Sequence, residues 1–271
     1  MAQTILDRIV ETKRKEVAAA RAAVPIEAVQ AAAAAAPPVR NLFTACTRAP
    51  ARSVNVIAEI KRASPSAGDI RADADPAAIA ARYTAAGAAG ISVLTDREYF
   101  GGSLDDLRAV RAAVDVPVLR KDFIIDPYQV YEARAAGADA ILLIAECLPG
   151  GPLMDLLILA ASVKLTCLIE VHSMESLLRV RSLANFPHAA YNLLGINNRD
   201  LRTFEVDIAQ TLRLAELVDE PHRLVSESGI KTADDVRRLS ATGVRTVLIG
   251  ETLMRADDTA AAFEDLFGPR R

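Results

Sequence analysis

Ala135-Ala136-Gly137-Ala138-Asp139-Ala140-Ile141-Leu142-Leu143-Ile144 decides the fold of this chain. Two small residues that suit the end of a helix are followed by glycine, which adopts the left-handed backbone that closes helices. A short link and a run of branched apolar residues come next, as expected for a strand covered on both faces. The same order recurs at Ala85-Ala86-Gly87-Ala88-Ala89-Gly90-Ile91-Ser92-Val93-Leu94. It recurs again at Ala241-Thr242-Gly243-Val244-Arg245-Thr246-Val247-Leu248-Ile249-Gly250. A helix end, a cap, a loop and a buried strand, repeated along one chain, mark a βα-repeat architecture.

Reading outward from these segments predicts eight strands, at 54–60, 90–95, 117–121, 139–145, 166–171, 191–197, 223–227 and 245–249. Helical patterns follow them near 75–86, 103–114, 127–136, 152–162, 173–184, 205–218, 232–241 and 257–267. Strict β-α alternation predicts a parallel sheet. Eight units in about 220 residues predict an α/β fold of the closed (β/α)8 TIM-barrel type. An open doubly wound sheet is the alternative, but it usually carries fewer strands and a GxGxxG turn, which this chain lacks. Residues 1–50 read as an N-terminal helical extension. Thr4 is the expected N-cap of a helix to Ala23, with Ile5, Ile9 and Val17 on one side. Val29 to Ala36 is a second helical piece, stopped by Pro37-Pro38. The extension is expected to pack against the barrel of residues 51–271, making 1–271 a single domain.

Composition narrows the function. A formal net charge of -3 over 271 residues argues against a nucleic-acid-binding protein or a basic membrane binder. Cys46, Cys147 and Cys167 are far apart and form no CxxC. They fit small buried hydrophobes in a reducing compartment better than a disulfide framework or a zinc site. Met1 to Lys15 is charged throughout and has no apolar signal-peptide core. No uncharged run reaches membrane-spanning length, so a soluble, cytoplasmic protein is expected.

In a barrel of this kind the chemistry sits at the C-terminal ends of the strands. The first strand runs into Ala58-Glu59-Ile60-Lys61-Arg62-Ala63-Ser64-Pro65-Ser66-Ala67-Gly68. Glu59 and Lys61, two apart, point to one face. From Ser64 to Gly68 the stretch is read as unable to continue a strand, because Pro65 lacks a donor and Gly68 invites a turn. In the third strand Leu119 and Lys121 share a face, in the fifth Leu168 and Glu170, in the seventh Val225 and Glu227. If the apolar members fill the barrel, Lys121, Glu170 and Glu227 point into its mouth with Glu59 and Lys61. Five such charges at one rim would shift one another's pKa values and supply acids and bases near neutral pH.

Gly229 and Gly250, after the last two strands, leave backbone amides uncovered where barrels often hold a phosphate. Ser228 can add a hydroxyl and Lys61 a charge. Asn197, Asn198 and Arg199 close the sixth strand. Arg199 suits a carboxylate, or pairs structurally with Asp200. His172, just past the fifth strand, is assigned to the side opposite Glu170 and read as structural. His172, His188 and His222 show no metal-ligand spacing, and neither an HExxH nor a P-loop is present.

Taken with Phe100-Gly101-Gly102-Ser103, Leu119-Arg120-Lys121-Asp122-Phe123, Ile169-Glu170-Val171-His172, Gly195-Ile196-Asn197-Asn198-Arg199-Asp200-Leu201, Ser226-Glu227-Ser228-Gly229-Ile230 and Leu248-Ile249-Gly250-Glu251, the first-strand segment resembles the indole-3-glycerol phosphate synthase family of tryptophan biosynthesis. The resemblance spans nearly the whole barrel in the family's order. It implies a lyase that closes the ring of 1-(2-carboxyphenylamino)-1-deoxyribulose 5-phosphate with loss of CO₂ and water. It implies Lys121 as general acid, Glu170 as base, and Lys61 as anion holder and second acid. Glu59 and Glu227 would orient the lysines. Ser64, Asn197 and Arg199 would steer the carboxylate, and Phe123 would line the aromatic end. Ser228, Gly229, Gly250 and the amide of Glu251 would cradle the phosphate. No metal or organic cofactor is implied, and the expected state is a monomer whose partner is the small phosphorylated substrate. Two rivals share the glycines: an isomerase of phosphorylated sugars, and a non-catalytic barrel that binds a phosphorylated metabolite.

Overall fold

A computed structural model describes residues 4–64, 68–71, 73–183, 191–200 and 205–270. The readings at Pro65, Ser66, Ala67, residue 184, His188 and Leu201 lie outside those residues. The strands are β1 (Asn55–Ile60), β2 (Ala63–Ser64), β3 (Gly68–Asp69), β4 (Gly90–Leu94), β5 (Val118–Lys121), β6 (Ala140–Ile144), β7 (Thr166–Val171), β8 (Asn192–Asn197), β9 (Leu224–Glu227) and β10 (Thr246–Ile249). The helices are α1 (Ile5–Ala23), α2 (Ile26–Ala35), α3 (Leu42–Thr47), α4 (Pro76–Ala86), α5 (Leu104–Ala113), α6 (Pro127–Ala135), α7 (Gly151–Ser162), α8 (Met174–Val180), α9 (Ala209–Ala215), α10 (Ala233–Ala241), α11 (Glu251–Arg255) and α12 (Thr259–Phe267).

Strands too apolar to face water on either side close into a parallel barrel in the order β1-β10-β9-β8-β7-β6-β5-β4. Pairing of Asn55 with Thr246 and of Ile57 with Gly90 seals β1 between the last barrel strand and the next one in sequence. Side chains then sort by parity. Ile57, Leu119, Leu168, Val225 and Leu248 meet inside the barrel, while Val56, Ile91, Ile141, Ile169 and Val247 pack outward under the helices. The repeated glycines behave as read. Gly87, Gly137 and Gly243 have φ of 103°, 90° and 86° and end α4, α6 and α10.

Thr4 caps α1 with a full capping box, its hydroxyl accepting from the Asp7 N–H. The structure departs from the sequence reading in several places. The second helix starts at Ile26, because Pro25 occupies its N-cap and offers its carbonyl to the Ala28 N–H. Helix α3 lies outside the helices that the sequence predicts. Asn41 caps it, and Leu42 and Cys46 close the bottom of the barrel interior. The Cys46 carbonyl there accepts from the Asn55 amide at 2.7 Å and from the Thr246 hydroxyl at 2.7 Å. Ser64 and Gly68 pair antiparallel in the small β2–β3 ladder, so the chain does not prolong the barrel strand but folds back on itself. The helix expected from 205 is narrower, since Val206 bridges Arg199 and Asp207 caps the Ala209 N–H at 2.9 Å. The last predicted helix begins at Thr259 behind Asp258, and a separate turn, α11, follows Gly250.

Helix α1 lies across the barrel mouth. Lys13 reaches down from it into a buried acidic pair, 2.9 Å from Asp96 and 3.0 Å from Asp122. Asp122 also binds Arg120 at 2.9 Å. Burial opposes the Asp122 charge, yet Arg120 and Lys13 pull its carboxyl down to about 2. Among the described residues no single helix is long and apolar enough to cross a membrane; α1 and α2 pass that test only together, across an 86° bend.

Candidate active site

Parity in the strands carries straight into the site. Glu59 follows Ile57, Lys121 follows Leu119, Glu170 follows Leu168 and Glu227 follows Val225, each one step further up the same inward row. They emerge above the apolar plug into a cavity of about 640 Å³. Glu59, Lys61, Ser64, Lys121, Phe123, Glu170, Asn197, Arg199, Glu227, Ser228, Gly229, Gly250 and Glu251 all line it. Every residue assigned to the site from sequence is therefore brought to one wall or another of the same space.

At the floor, the Lys121 ammonium lies 2.9 Å from Glu170 and 3.4 Å from Glu227. Burial disfavours the Lys121 charge, but Glu170, Glu227 and Glu59 outweigh it and raise the ammonium above its ordinary value. Burial would also raise Glu170, yet Lys121 and His172 hold it well below the usual carboxylate range. Glu227 goes the other way. Burial and then repulsion from Glu170 push it well above that range, against the pull of Lys121. Two carboxyls beside one ammonium are thus pushed in opposite directions, the separation of environments that acid–base chemistry needs. Among the described residues, no well-aligned hydrogen-bond donor serves either Glu227 oxygen. On the next wall Lys61 pairs with Glu59 at 2.8 Å.

The remaining walls differ in character. Phe100 and Phe123 stand with ring centroids 6.1 Å apart, and Leu142, Ile144 and the α1 residues Ile5, Leu6 and Ile9 extend that apolar side. Opposite it, Ser228 and Gly229 turn the chain with φ of 65° and 78°. A left-handed backbone is uncommon at a non-glycine residue such as Ser228, and it occurs here at the cavity wall. Lys231 and Arg255 join Gly250 and Glu251 there. Asn197 accepts the Arg199 N–H on its side-chain oxygen at 3.1 Å, tying the end of β8 to the following loop. Among the described residues, no group of three or more His, Cys, Asp or Glu side chains is arranged to hold a metal ion.

His172 corrects the sequence reading. Residues two apart in an extended chain share a side, so it follows Glu170 rather than opposing it. Its Nε2 lies 3.2 Å from Glu170, and its Nδ1 lies 3.1 Å from Glu146. Burial alone would lower its pKa, but the two carboxylates push it up to about 10. Phe100, Leu6, Lys231 and Arg255 also line the cavity, beyond the residues that the sequence assigns to it. Phe100 was legible as the residue before a Gly-Gly turn at a strand end; the others reach the cavity from helices and loops that no strand parity governs.

Three comparisons with known proteins bear on this geometry. A family model described as Indole-3-glycerol phosphate synthase matches residues 6–266. A protein of that description from Rhodopirellula baltica is 49% identical over 263 residues, covering 97% of this chain and 98% of its own length. One from Neisseria gonorrhoeae is 50% identical over 264 residues, covering 97% and 99%. One from Geobacillus kaustophilus is 47% identical over 264 residues, covering 97% of each. Among solved structures, thiamine phosphate pyrophosphorylase from Pyrococcus furiosus superposes with a TM-score of 0.56 at 19% identity, over 80% of this chain and 95% of that one. That last likeness concerns the barrel alone.

Proposed function

The chain belongs to the indole-3-glycerol phosphate synthase family, and from that premise we propose how its residues divide the work on 1-(2-carboxyphenylamino)-1-deoxyribulose 5-phosphate. The family's reaction joins an aryl carbon to a ketone, expels CO₂ from the same aryl carbon, and eliminates water to leave an indole. Lys121 is the acid of the first step. Its ammonium, raised above its ordinary value by three surrounding glutamates, gives a proton to the ketone oxygen as the aryl carbon attacks. Loss of CO₂ leaves the bonding pair behind and restores the ring. Glu170 then takes a proton from the carbon beside nitrogen while Lys61 protonates the departing hydroxyl. The base hands its proton to Lys121, 2.9 Å away, so the acid is restored. Because the carboxylate leaves as neutral CO₂, each turnover takes up one proton, which Lys61 draws from solvent at the rim.

The substrate's ends match the cavity's walls. Phe100 and Phe123 suit the aromatic ring, and Ser64, Asn197 and Arg199 suit its carboxylate. Ser228, Gly229, Gly250 and the amide of Glu251 form the phosphate cradle, with Lys231 and Arg255 adding charge on that side. Glu59 orients Lys61. Since α1 contributes Ile5, Leu6 and Ile9 to the cavity, the extension and barrel act as one domain. We assign the enzyme to the cytoplasm as a monomer, in line with cysteines that are all unpaired.

The observation that carries the reading is Lys121 set between Glu170 and Glu227, 2.9 Å and 3.4 Å away, at the floor of one cavity. The chain contains no Trp, so indole fluorescence growing after addition of the anilino-ribulose phosphate comes from product alone. Growth that scales with enzyme supports the assignment. Binding without growth at high enzyme concentration would leave the non-catalytic binder standing.

A further inference from the structure

His172 is gripped at three points. Glu146, on the loop after β6, accepts its backbone N–H at 2.9 Å with one oxygen and faces Nδ1 at 3.1 Å with the other. Its carbonyl accepts from Gln210 of α9 at 2.9 Å, and the same amide also binds the Asn197 carbonyl at 3.1 Å. The imidazole is thereby set with Nε2 toward Glu170 Oε1, 3.2 Å away and off the line of an ideal hydrogen bond. The other Glu170 oxygen, Oε2, meets Lys121. A neutral ring would press a lone pair against one carboxylate or the other. Only the imidazolium offers an N–H to both.

Charge around the base makes the same demand. Glu170 is 2% exposed and shares Lys121 with Glu227, so the floor holds more carboxyls than ammonium groups. Lys61 pairs with Glu59 rather than with Glu170. Cys147, the remaining titratable group beside Glu170, is neutral because burial pushes its thiol up to about 12. Near Glu146 and His172, Ser176 of α8 and Gln210 of α9 carry no charge, and the Arg179 guanidinium of α8 is bound to the Ala145 carbonyl at 2.7 Å. His172 is thus the one cation besides Lys121 in contact with Glu170 among the described residues.

We propose that His172, held by Glu146, is the positioning residue of the base: it supplies the second counter-charge that keeps Glu170 ionised and turned toward Lys121. The role rests on the assignment of Glu170 as base given above. His172 touches no reacting atom and acts only through that carboxylate. Its effect therefore belongs to kcat and to the acid limb of the pH profile, because loss of a neighbouring cation makes Glu170 easier to protonate. Little of it belongs to KM.

The test compares kcat and KM from about pH 4 to pH 9 for the unchanged chain, His172→Asn and Glu146→Gln, a span that brackets the ordinary glutamate and imidazole values. His172→Asn is expected to lose on the order of tenfold in kcat at neutral pH, part of the roughly 10²–10⁴-fold a positioned base contributes. KM should stay within about twofold, since ground-state binding is untouched. The acid limb should move to higher pH, and the deficit should shrink as pH rises. Glu146→Gln should move the limb the same way by less. A deficit equal at every pH, or a profile superimposable on the unchanged chain, overturns the proposal. Should His172→Asn fail to fold, Glu146→Gln decides alone, and an unmoved acid limb overturns it. Absence of turnover by the unchanged chain would remove the functional assignment and this role with it, whereas turnover with unaltered variant profiles removes only this role.

Discussion

Lys121 and Glu170 sit 49 positions apart in sequence and 2.9 Å apart in space, and their roles separate by experiment. Lys121→Ala is expected to lower turnover by about 10²–10⁴-fold, the usual contribution of a placed acid, with the fold intact in circular dichroism. Glu170→Gln should slow the elimination most. Quenched-flow samples of that variant should therefore contain the ring-closed, decarboxylated compound still carrying its hydroxyl. Disappearance of substrate at the unchanged rate in Lys121→Ala would remove that lysine as acid. Much at this scale was legible beforehand. Glu59, Lys121, Glu170 and Glu227 announce themselves as charges at the ends of apolar strands, and alternation says which way they point. His172 escaped because it was placed on the wrong side of the chain. Glu146 escaped because a loop residue obeys no alternation, and its partner is 26 residues away.

Helix α1 is the element through which the extension reaches the chemistry. Its apolar stripe was readable from Ile5, Ile9 and Val17, but the same stripe does two jobs. Val17 packs with Val29 and Tyr128, whereas Ile5 and Ile9 face the cavity. Nothing in periodicity distinguishes a residue that covers a core from one that covers a substrate. Lys13 fixes the helix in place, since the residue is 3% exposed and its ammonium meets Asp96 and Asp122. Removing one partner of such a buried cluster strands the others. Lys13→Met should cost about 3–5 kcal/mol in denaturant unfolding. It should also raise KM, because Ile5, Leu6 and Ile9 would no longer be held over the aromatic end. An unchanged midpoint together with an unchanged KM would show that α1 is fixed by other contacts.

For the molecule as a whole, the two ends of the barrel carry separate duties. The strand pattern revealed the closed sheet because eight nearly continuous apolar runs have nowhere else to be buried. It did not reveal how the bottom is sealed. Helix α3 is six residues long, too short to show a period, and its work is done by one carbonyl that takes hydrogen bonds from both Asn55 and Thr246. Asn55→Ala leaves the Cys46 and Arg48 carbonyls short of a donor. It should lower stability by about 1–3 kcal/mol. Turnover of the surviving folded enzyme should be unaltered, since the chemistry is at the opposite end. Thermal melting and kcat on the same preparation check both halves of that statement. The Lys13 cluster also ties the first helix to strands made much later. A ribosome adding roughly 5–20 residues per second exposes Lys13 some 5–20 seconds before Asp122 exists to receive it. During that interval Lys13 has only Glu16 of its own helix and, later, Asp96 to pair with. The roof of the pocket is written first and bolted down only once the chain beyond β5 has been made.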